Sequence, residues 1–429
     1  MSTLLVADGR LLRPGGRIVE ADLLIDRSAG VIEAIGDGLT GDDRLDAAGG
    51  LVIPGLVNAH THVAMTLLRG YADDKPLDAW LREDVWPVEA ELTPDDVAAG
   101  AALGVLEMIR SGTTAFADMY FREERVADVV ERAGVRARLG HGVITVGRDG
   151  AEIEADIEEG LRIARELDGA ADGRIRTAVC PHSLTTVDPD RLAALADRAD
   201  AAGVPLHFHA NETETEVGPI LDEHGIRPLA FADERGMVGD GDFLAHGVHL
   251  DAAEIDLLAR RGTAVVHCPA SNMKLASGVA PVEAMLDAGV TVGLGTDGAA
   301  SNNDLDVFDE MRDAAMVGKL AADDAAAVPA EAVVEMATAG GAAAVGLPGG
   351  RIEAGAPADL AVVDLRAPHL TPVHDPVSHL AYAVRGSDVR HTVCDGRVLM
   401  RDREVLTLDG AAVRERAAEH AADLIARAE

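Results

Sequence analysis

Residues 54–62 read Pro54-Gly55-Leu56-Val57-Asn58-Ala59-His60-Thr61-His62 and continue the apolar stretch that begins at Leu51. The run Leu51–Val57 predicts a buried β-strand, and two histidines follow it, two positions apart. On extended backbone, side chains two residues apart point to the same side. His60 and His62 can therefore face one divalent metal ion from the carboxyl end of this strand.

Seven more short apolar runs follow this strand, separated by segments of helical length. They are Thr114–Met119, Ala137–Ile144, Arg176–Cys180, Pro205–Phe208, Phe243–His246, Ala264–His267 and Thr291–Leu294. Helix start signals such as Thr93-Pro94-Asp95-Asp96 lie between them. Eight strands alternating with helices predict an α/β fold, a TIM-type (β/α)₈ barrel whose active site lies at the carboxyl ends of the strands.

The two ends of the chain have a different pattern, with short strands separated by Gly-rich turns. Examples are Leu4–Ala7 near the start and Leu360–Asp364 near the end. We expect the ends to meet in a second, small β-sandwich domain beside the barrel. The predicted division is residues 1–54 with 350–408 for the small β-domain, 55–349 for the metal-binding barrel, and 409–429 for a C-terminal helix.

The charge balance is strongly acidic, with 74 Asp and Glu against 38 Lys and Arg, a formal net charge of -36. Only three of the cations are lysines, and the acids are dispersed along the chain. This composition is typical of a protein that works in high salt, where screening removes self-repulsion. An ordinary acidic enzyme is the alternative. Nucleic-acid binding is disfavoured because the phosphate backbone requires a cationic patch.

The chain lacks the run of about 18 apolar residues that a membrane span needs. It also starts without a basic stretch followed by an apolar core, so we expect no signal peptide and a cytoplasmic protein. Its three cysteines are far apart and match neither a disulfide framework nor a zinc ribbon. We expect a homo-oligomer that acts on a small molecule, without a membrane or nucleic-acid partner.

Two further ligand candidates lie at strand ends. His209 ends the fifth predicted strand and Asp297 follows the eighth. Three imidazoles and a carboxylate suit one Zn²⁺, with Fe²⁺ as the alternative, and the ion would lower the pKa of a bound water to roughly 7. His207 competes with His209 as a ligand, but His209 lies nearer the strand end. A single histidine at a strand end is more often structural, and only the combination predicts a metal site.

Two residues beside these ligands, together with Asp297 itself, predict hydrolytic chemistry. Glu212 follows His209 by three positions and can carry a proton to a ring nitrogen. His246 can orient the attacking water, although a structural role is easier to credit for it. Asp297 can accept the water's proton besides touching the metal. His267 reads as structural.

These motifs resemble the amidohydrolase superfamily. They are residues 54–62, the His209-to-Glu212 spacing, Ala245-His246 and Gly295-Thr296-Asp297-Gly298. Within it, further segments resemble the 5-methylthioadenosine/S-adenosylhomocysteine deaminases: Met65–Gly70, Trp80-Leu81, Pro87–Glu89, Asp118–Tyr120, Pro181–Ser183, Pro269–Asn272 and Ala299–Asn303. The resemblance covers nearly the whole chain.

The resemblance implies hydrolytic deamination at C6 of an adenine nucleoside, with Glu212 protonating N1. Glu89 and His182 would contact the ribose hydroxyls, while Trp80 and Ser301 would line the pocket. No lysine lies between Lys75 and Lys274, so the carboxylated lysine that bridges two metals in some related hydrolases is absent. This absence predicts a single ion.

One departure concerns the arginines with which such deaminases hold the carboxylate of S-adenosylhomocysteine. The corresponding positions here are His141 and Asp156, and Arg148 is the nearest candidate replacement. Because an anionic tail needs a paired cation, we expect 5′-methylthioadenosine, 5′-deoxyadenosine or adenosine to be favoured over S-adenosylhomocysteine. The alternatives are a deaminase of a free base such as guanine or cytosine, a triazine-type hydrolase, and a binding protein without turnover.

Overall fold

The computed structural model describes residues 2–429. Its N-terminal segment contains only strands and one short 3₁₀ turn, Pro14–Gly16. The strands are β1 (Thr3–Ala7), β2 (Arg10–Arg13), β3 (Arg17–Glu20), β4 (Asp22–Asp26), β5 (Val31–Gly36), β6 (Asp43–Asp46) and β7 (Leu51–Pro54).

The middle of the chain forms a barrel of parallel strands. They are β8 (Leu56–Thr61), β9 (Thr113–Tyr120), β10 (Arg136–Val143), β11 (Ile175–Thr177), β12 (Cys180–Pro181), β13 (His207–Ala210), β14 (Phe243–His246), β15 (Ala264–His267) and β16 (Val292–Leu294). β11 and β12 both pair with β10 and share one position in the wall. The ring closes where the backbone N–H of Asp297 donates to the carbonyl of His60 at 3.0 Å. The eight-strand (β/α)₈ barrel is confirmed.

Helices cover the outside of the barrel, and two more occur in the C-terminal part of the chain. They are α1 (Leu77–Ala79), α2 (Trp86–Glu89), α3 (Pro94–Arg110), α4 (Glu123–Ala133), α5 (Gly150–Glu166), α6 (Pro189–Ala202), α7 (Glu214–His224), α8 (Pro228–Asp233), α9 (Ala252–Arg261), α10 (Pro269–Lys274), α11 (Val282–Asp287), α12 (Ala299–Asn302), α13 (Val307–Ala322), α14 (Ala330–Met336), α15 (Ala339–Ala344), α16 (Pro376–Tyr382) and α17 (Gly410–Ala428). A π-helical turn, Trp80–Val85, joins α1 to α2. Thr93 and Asp96 cap α3 reciprocally, as the sequence predicts.

Both ends of the chain contribute to one seven-stranded sheet. The C-terminal strands are β17 (Leu360–Val363), β18 (Val389–Cys394), β19 (Arg397–Arg401) and β20 (Glu404–Val405). The sheet has the order β20-β19-β18-β17-β7-β2-β3, and a four-stranded sheet has the order β5-β4-β1-β6. Leu4 of one sheet and Val52 and Val362 of the other belong to one buried apolar cluster. The two sheets therefore form a sandwich. The exact division of the chain into domains remains our proposal.

The predicted first strand, Leu51–Val57, is two strands in the structure. Leu51–Pro54 pairs with β17 in the end sheet, whereas Leu56–Thr61 enters the barrel. Pro54 has no N–H with which to continue the ladder. At Gly55 a Cβ would lie 2.0 Å from the Thr114 hydroxyl, so the chain passes closer to β9 than a side chain would permit. Among residues 2–429, no helix is both long and apolar enough to cross a membrane.

Candidate active site

The carboxyl ends of three barrel strands bring the four predicted ligands together. His60 lies in β8 with His62 just after it, His209 lies in β13, and Asp297 follows β16. Ligand atoms of His60, His62 and Asp297 lie within 4.8 Å of one another, and so do those of His60, His209 and His246. The two groups share His60, so all five side chains surround one small volume.

His60 lies at the bottom of this volume and is fully buried. Its Nε2 has no hydrogen-bond partner and lies 3.6 Å from Oδ1 of Asp297. Its Nδ1 lies 2.9 Å from Nε2 of His207. His207 is therefore placed behind His60, and it stacks on Phe243. It does not take the ligand position for which the sequence made it an alternative to His209. A buried imidazole nitrogen without a partner is the donor that a metal ion requires.

Backbone carbonyls hold the other two imidazoles in one tautomer. Nδ1 of His62 lies 2.5 Å from the carbonyl of Met119, and Nδ1 of His209 lies 2.6 Å from the carbonyl of His182. Because a carbonyl only accepts, Nδ1 of each ring carries a hydrogen, and Nε2 is the nitrogen that can bind a metal ion. Burial lowers the pKa of His60 to about 4 and that of His209 well below its usual range, so both are neutral at neutral pH. The donor set fits a divalent metal ion.

Two serines orient the carboxylate of Asp297. Its Oδ2 accepts hydrogen bonds from Ser271 at 2.7 Å and Ser301 at 2.8 Å, which leaves Oδ1 to face the imidazoles. Burial alone would raise the pKa of Asp297, but the imidazoles of His60 and His62, whose Nε2 atoms lie 3.6 and 3.2 Å from Oδ1, hold it well below the usual range. Ser301, which was predicted to line the pocket, lies buried behind Asp297 and outside the cavity lining, because α12 begins directly after the Asp297 loop.

Asp297 and His246 both have left-handed backbone, with φ of 59° and 77°. Left-handed conformations of residues other than glycine store strain and cluster at functional sites. Nδ1 of His246 lies 2.9 Å from Oδ1 of Asn272, and its Nε2 lies 3.7 Å from Oε2 of Glu212. The side chain of His246 thus points towards the proposed acid.

A cavity of about 330 Å³ opens above these groups. Its lining includes Trp80, Glu89, His182, Glu212 and Asp297. Glu212 is buried, and this burial raises the pKa of its carboxyl. Glu216, which was not predicted from the sequence, also lines the cavity and accepts a hydrogen bond from the backbone N–H of Glu212 at 2.8 Å. Its position one helical turn after Glu212 was the available signal.

Glu89 and His182, the two residues predicted to contact ribose hydroxyls, both line the cavity. Glu89 accepts a hydrogen bond from the Tyr120 hydroxyl at 2.7 Å, and burial raises its pKa to about 7. Nδ1 of His182 lies 2.9 Å from the Thr186 hydroxyl. The indole N–H of Trp80 donates to a backbone carbonyl at 3.1 Å, so its ring forms an apolar wall.

The candidate replacement clamp, Arg148, is engaged elsewhere. It lies 2.6 Å from Oδ2 of Asp156, whose other oxygen lies 2.9 Å from Nε2 of His141. None of these three residues lines the cavity. A larger and more open cavity, of about 910 Å³, lies between α3 and α17. Its lining contains no histidine, so the chemistry belongs to the smaller one.

Three imidazoles and a carboxylate at the carboxyl end of a (β/α)₈ barrel, with a buried acid beside them, define a metal-dependent hydrolase. Residues 51–399 match the model of the amidohydrolase family. The chain belongs to this family, whose members depend on a metal.

Similar proteins agree with this assignment. The chain is 66% identical to the 5-methylthioadenosine/S-adenosylhomocysteine deaminase of Natronomonas pharaonis, over 100% of both chains. It is 46% identical to the 5′-deoxyadenosine deaminase of Methanothermobacter thermautotrophicus, over 98% of this chain and 99% of the relative. A crystal structure of an adenosine deaminase from Xanthomonas campestris with bound zinc superimposes with a TM-score of 0.93, at 38% identity and 99% coverage of both chains. Relatives from halophiles fit the predicted salt adaptation.

Proposed function

We propose that this protein removes the amino group from C6 of adenine nucleosides, adding water and releasing ammonia. The observation that carries the proposal is the buried carboxyl of Glu212, which lines the cavity beside the imidazole cluster. An adenine ring becomes a good electrophile at C6 when N1 is protonated, and a carboxyl with a raised pKa is the acid that such a step requires. The names of the similar proteins support the same reaction.

His60, His62, His209 and Asp297 would hold one ion, for which we propose Zn²⁺, with Fe²⁺ as the second candidate. The unpartnered Nε2 of His60 and the fixed tautomers of the other two histidines support this ligand set. When bound, the ion would lower the pKa of water from 15.7 to roughly 7 and so supply the nucleophile at neutral pH. Metal analysis should find about one ion per chain.

The protein's own side chains would move the protons. Oδ1 of Asp297, held in place through Oδ2, would accept a proton from the attacking water and deliver it to the departing amino group. Glu212 would donate a proton to N1, and His246, held by Asn272 at 2.9 Å, would orient the water. Ammonia then leaves as the C6–N bond breaks. The remaining proton of the added water would pass from the C6 hydroxyl to Glu212, which restores the acid, and the product carries a carbonyl oxygen at C6 and a hydrogen on N1.

Glu89 and His182 favour a nucleoside over a free base or a triazine. Both line the cavity and offer polar atoms suited to the ribose hydroxyls, which a free base lacks. Because Arg148 is paired with Asp156, we propose that nucleosides with a neutral 5′ group are the favoured substrates. These are 5′-methylthioadenosine, 5′-deoxyadenosine and adenosine.

The proposal is tested by ammonia release in molar salt from these nucleosides, S-adenosylhomocysteine, guanine and cytosine. We expect turnover of the nucleosides and none of the bases, and activity should fall in dilute buffer. Preferential deamination of a base would contradict the proposal.

Glu212→Gln tests the assigned acid. The amide cannot donate the required proton, so we expect loss of deamination with the metal content unchanged. Retained activity would contradict the role of Glu212.

We also propose that the chain forms a homo-oligomer. Met316 and Leu320 lie one turn apart on α13 and are 47% and 81% exposed, and neighbouring exposed apolar side chains are a candidate surface for contact with a second chain. Light scattering at molar salt should give a multiple of the 44.6 kDa chain mass, and a monomeric mass would refute this.

A further inference from the structure

The cavity wall carries five carboxylates and one cation. The carboxylates belong to Asp78, Glu89, Glu212, Glu216 and Asp297. The one Arg or Lys side chain in the lining is Arg82. Within residues 2–429, no carboxylate oxygen lies within 4.0 Å of its guanidinium nitrogens. Away from the proposed metal ion, Arg82 is therefore the one cation of the lining with which an anionic group could pair.

Arg82 lies on the π-helical turn Trp80–Val85, and its guanidinium carbon lies 5.8 Å from the ring centroid of Trp86. This contact is a cation–π interaction, and it supports the side chain along one face. The N–H donors lie in the plane of the guanidinium, so they stay free for a partner. A planar, supported fork of donors matches a carboxylate, with two parallel hydrogen bonds.

The position of Arg82 relative to the ribose wall determines which part of a ligand it can reach. Glu89 follows Arg82 by seven residues on the same helical segment, so the two side chains leave the backbone about 10 Å apart along the axis. With the ribose at Glu89, a group near Arg82 must sit at the far end of a 5′ substituent. A hydrogen, hydroxyl or methylthio group on the 5′ carbon is too short to reach it.

We propose that Arg82 recognises an anionic group at the end of the 5′ substituent, such as the carboxylate of S-adenosylhomocysteine. The proposal rests on the proposed deaminase function and extends its substrate range. Neutral 5′ groups leave Arg82 unused, whereas the amino-acid tail pairs with it. Arg82 is thus a specificity-determining residue, in the role that Arg148 cannot fill because of Asp156.

The test compares kcat/KM for S-adenosylhomocysteine and 5′-methylthioadenosine in the wild type, Arg82→Gln and Arg148→Gln. For Arg82→Gln we expect a loss of about tenfold or more with S-adenosylhomocysteine, mostly in KM, because a charge-assisted pair is lost. With 5′-methylthioadenosine, Arg82→Gln should stay within about twofold, which also controls for folding. Arg148→Gln should change neither value by more than that.

Three outcomes would overturn the proposal: an equal loss with both substrates, an unchanged value for S-adenosylhomocysteine in Arg82→Gln, or a selective loss in Arg148→Gln. Arg82→Lys should retain part of the affinity, since it keeps the charge without the planar fork. If no nucleoside is deaminated, the proposed function fails. Calorimetric binding of the two nucleosides to the metal-loaded wild type and Arg82→Gln then tests Arg82 by itself.

Discussion

Removal of the Ser301 hydroxyl should separate a positioning role from a pocket-lining role. Ser301 is 2% exposed and donates to Oδ2 of Asp297 at 2.8 Å, while Ser271 donates to the same oxygen at 2.7 Å. In Ser301→Ala, Asp297 keeps one of the two hydrogen bonds that orient it. Its Oδ1 is then less firmly held towards His60 and His62.

The expected magnitude follows from these contacts. A hydrogen bond to a charged group contributes about 1.5–3 kcal/mol. Because Ser271 still partners Oδ2, we expect the lower end, which corresponds to a loss of about tenfold in kcat. KM should stay within about twofold, since Ser301 does not line the cavity. The double variant Ser271→Ala/Ser301→Ala leaves Oδ2 buried without either partner. Its loss in kcat, expressed as a free energy, should therefore exceed the sum of the losses of the two single variants.

The assay is ammonia release from 5′-methylthioadenosine with saturating zinc, together with the metal content after dialysis against a chelator. Ser301→Ala should lose metal more readily than the wild type, since partners of metal ligands commonly affect affinity by about 10–100-fold. Ser111→Ala is the matched control, because the buried Ser111 hydroxyl donates to carbonyls of α3 at 3.2 Å, not to a site residue. An increase in KM at unchanged kcat would refute the positioning role and would indicate that Ser301 contacts the substrate instead.

The remaining predictions concern the stability of the fold, first at the contact between the barrel and the end sheets. Arg136 is buried and lies 2.8 Å from the buried carboxylate of Asp359, so Arg136→Gln should cost about 3–5 kcal/mol in urea unfolding at molar salt. Arg366→Gln breaks an exposed ion pair and should cost less than about 1 kcal/mol; equal costs would contradict the reasoning. Burial raises the pKa of Asp96, but hydrogen bonds at the start of α3 and from His420 lower it below the ordinary value of 3.8. The stability from Asp96 is therefore present above pH 3.8 and lost as the pH falls through the lowered pKa. In Asp96→Asn the unfolding temperature should fall less steeply as the pH is lowered through this range. The same pH dependence in the variant and the wild type would contradict the assignment. Unfolding should also be easier in dilute buffer than in molar salt, because repulsion among the excess acids is then unscreened; equal stability would contradict the halophile interpretation.

Prediction of the barrel succeeded where the pattern was local and regular. Buried parallel strands are continuously apolar, so runs such as Phe243–His246 and Ala264–His267 are recognisable, and both have these bounds in the structure. Prediction failed at Leu51–Val57 because one apolar run served two sheets. The break at Pro54-Gly55 depends on how closely the chain passes Thr114, which is a distant residue in the sequence.

The sequence by itself determined the alternation of strands and helices, the family, and the residues that come together at the strand ends. Each of these depends on periodicity or on short motifs, which are local properties. Only the tertiary structure decided what each of these side chains touches. It placed His207 behind His60, Ser301 behind Asp297, and Arg148 on Asp156. It also left Arg82 facing the cavity. His60 and His207 are 147 residues apart, and closure of the barrel brings them within hydrogen-bonding distance. Ser301 and Arg148 are near their partners in the sequence, but these contacts depend on the conformation of the loops that follow the strands, which short motifs do not specify.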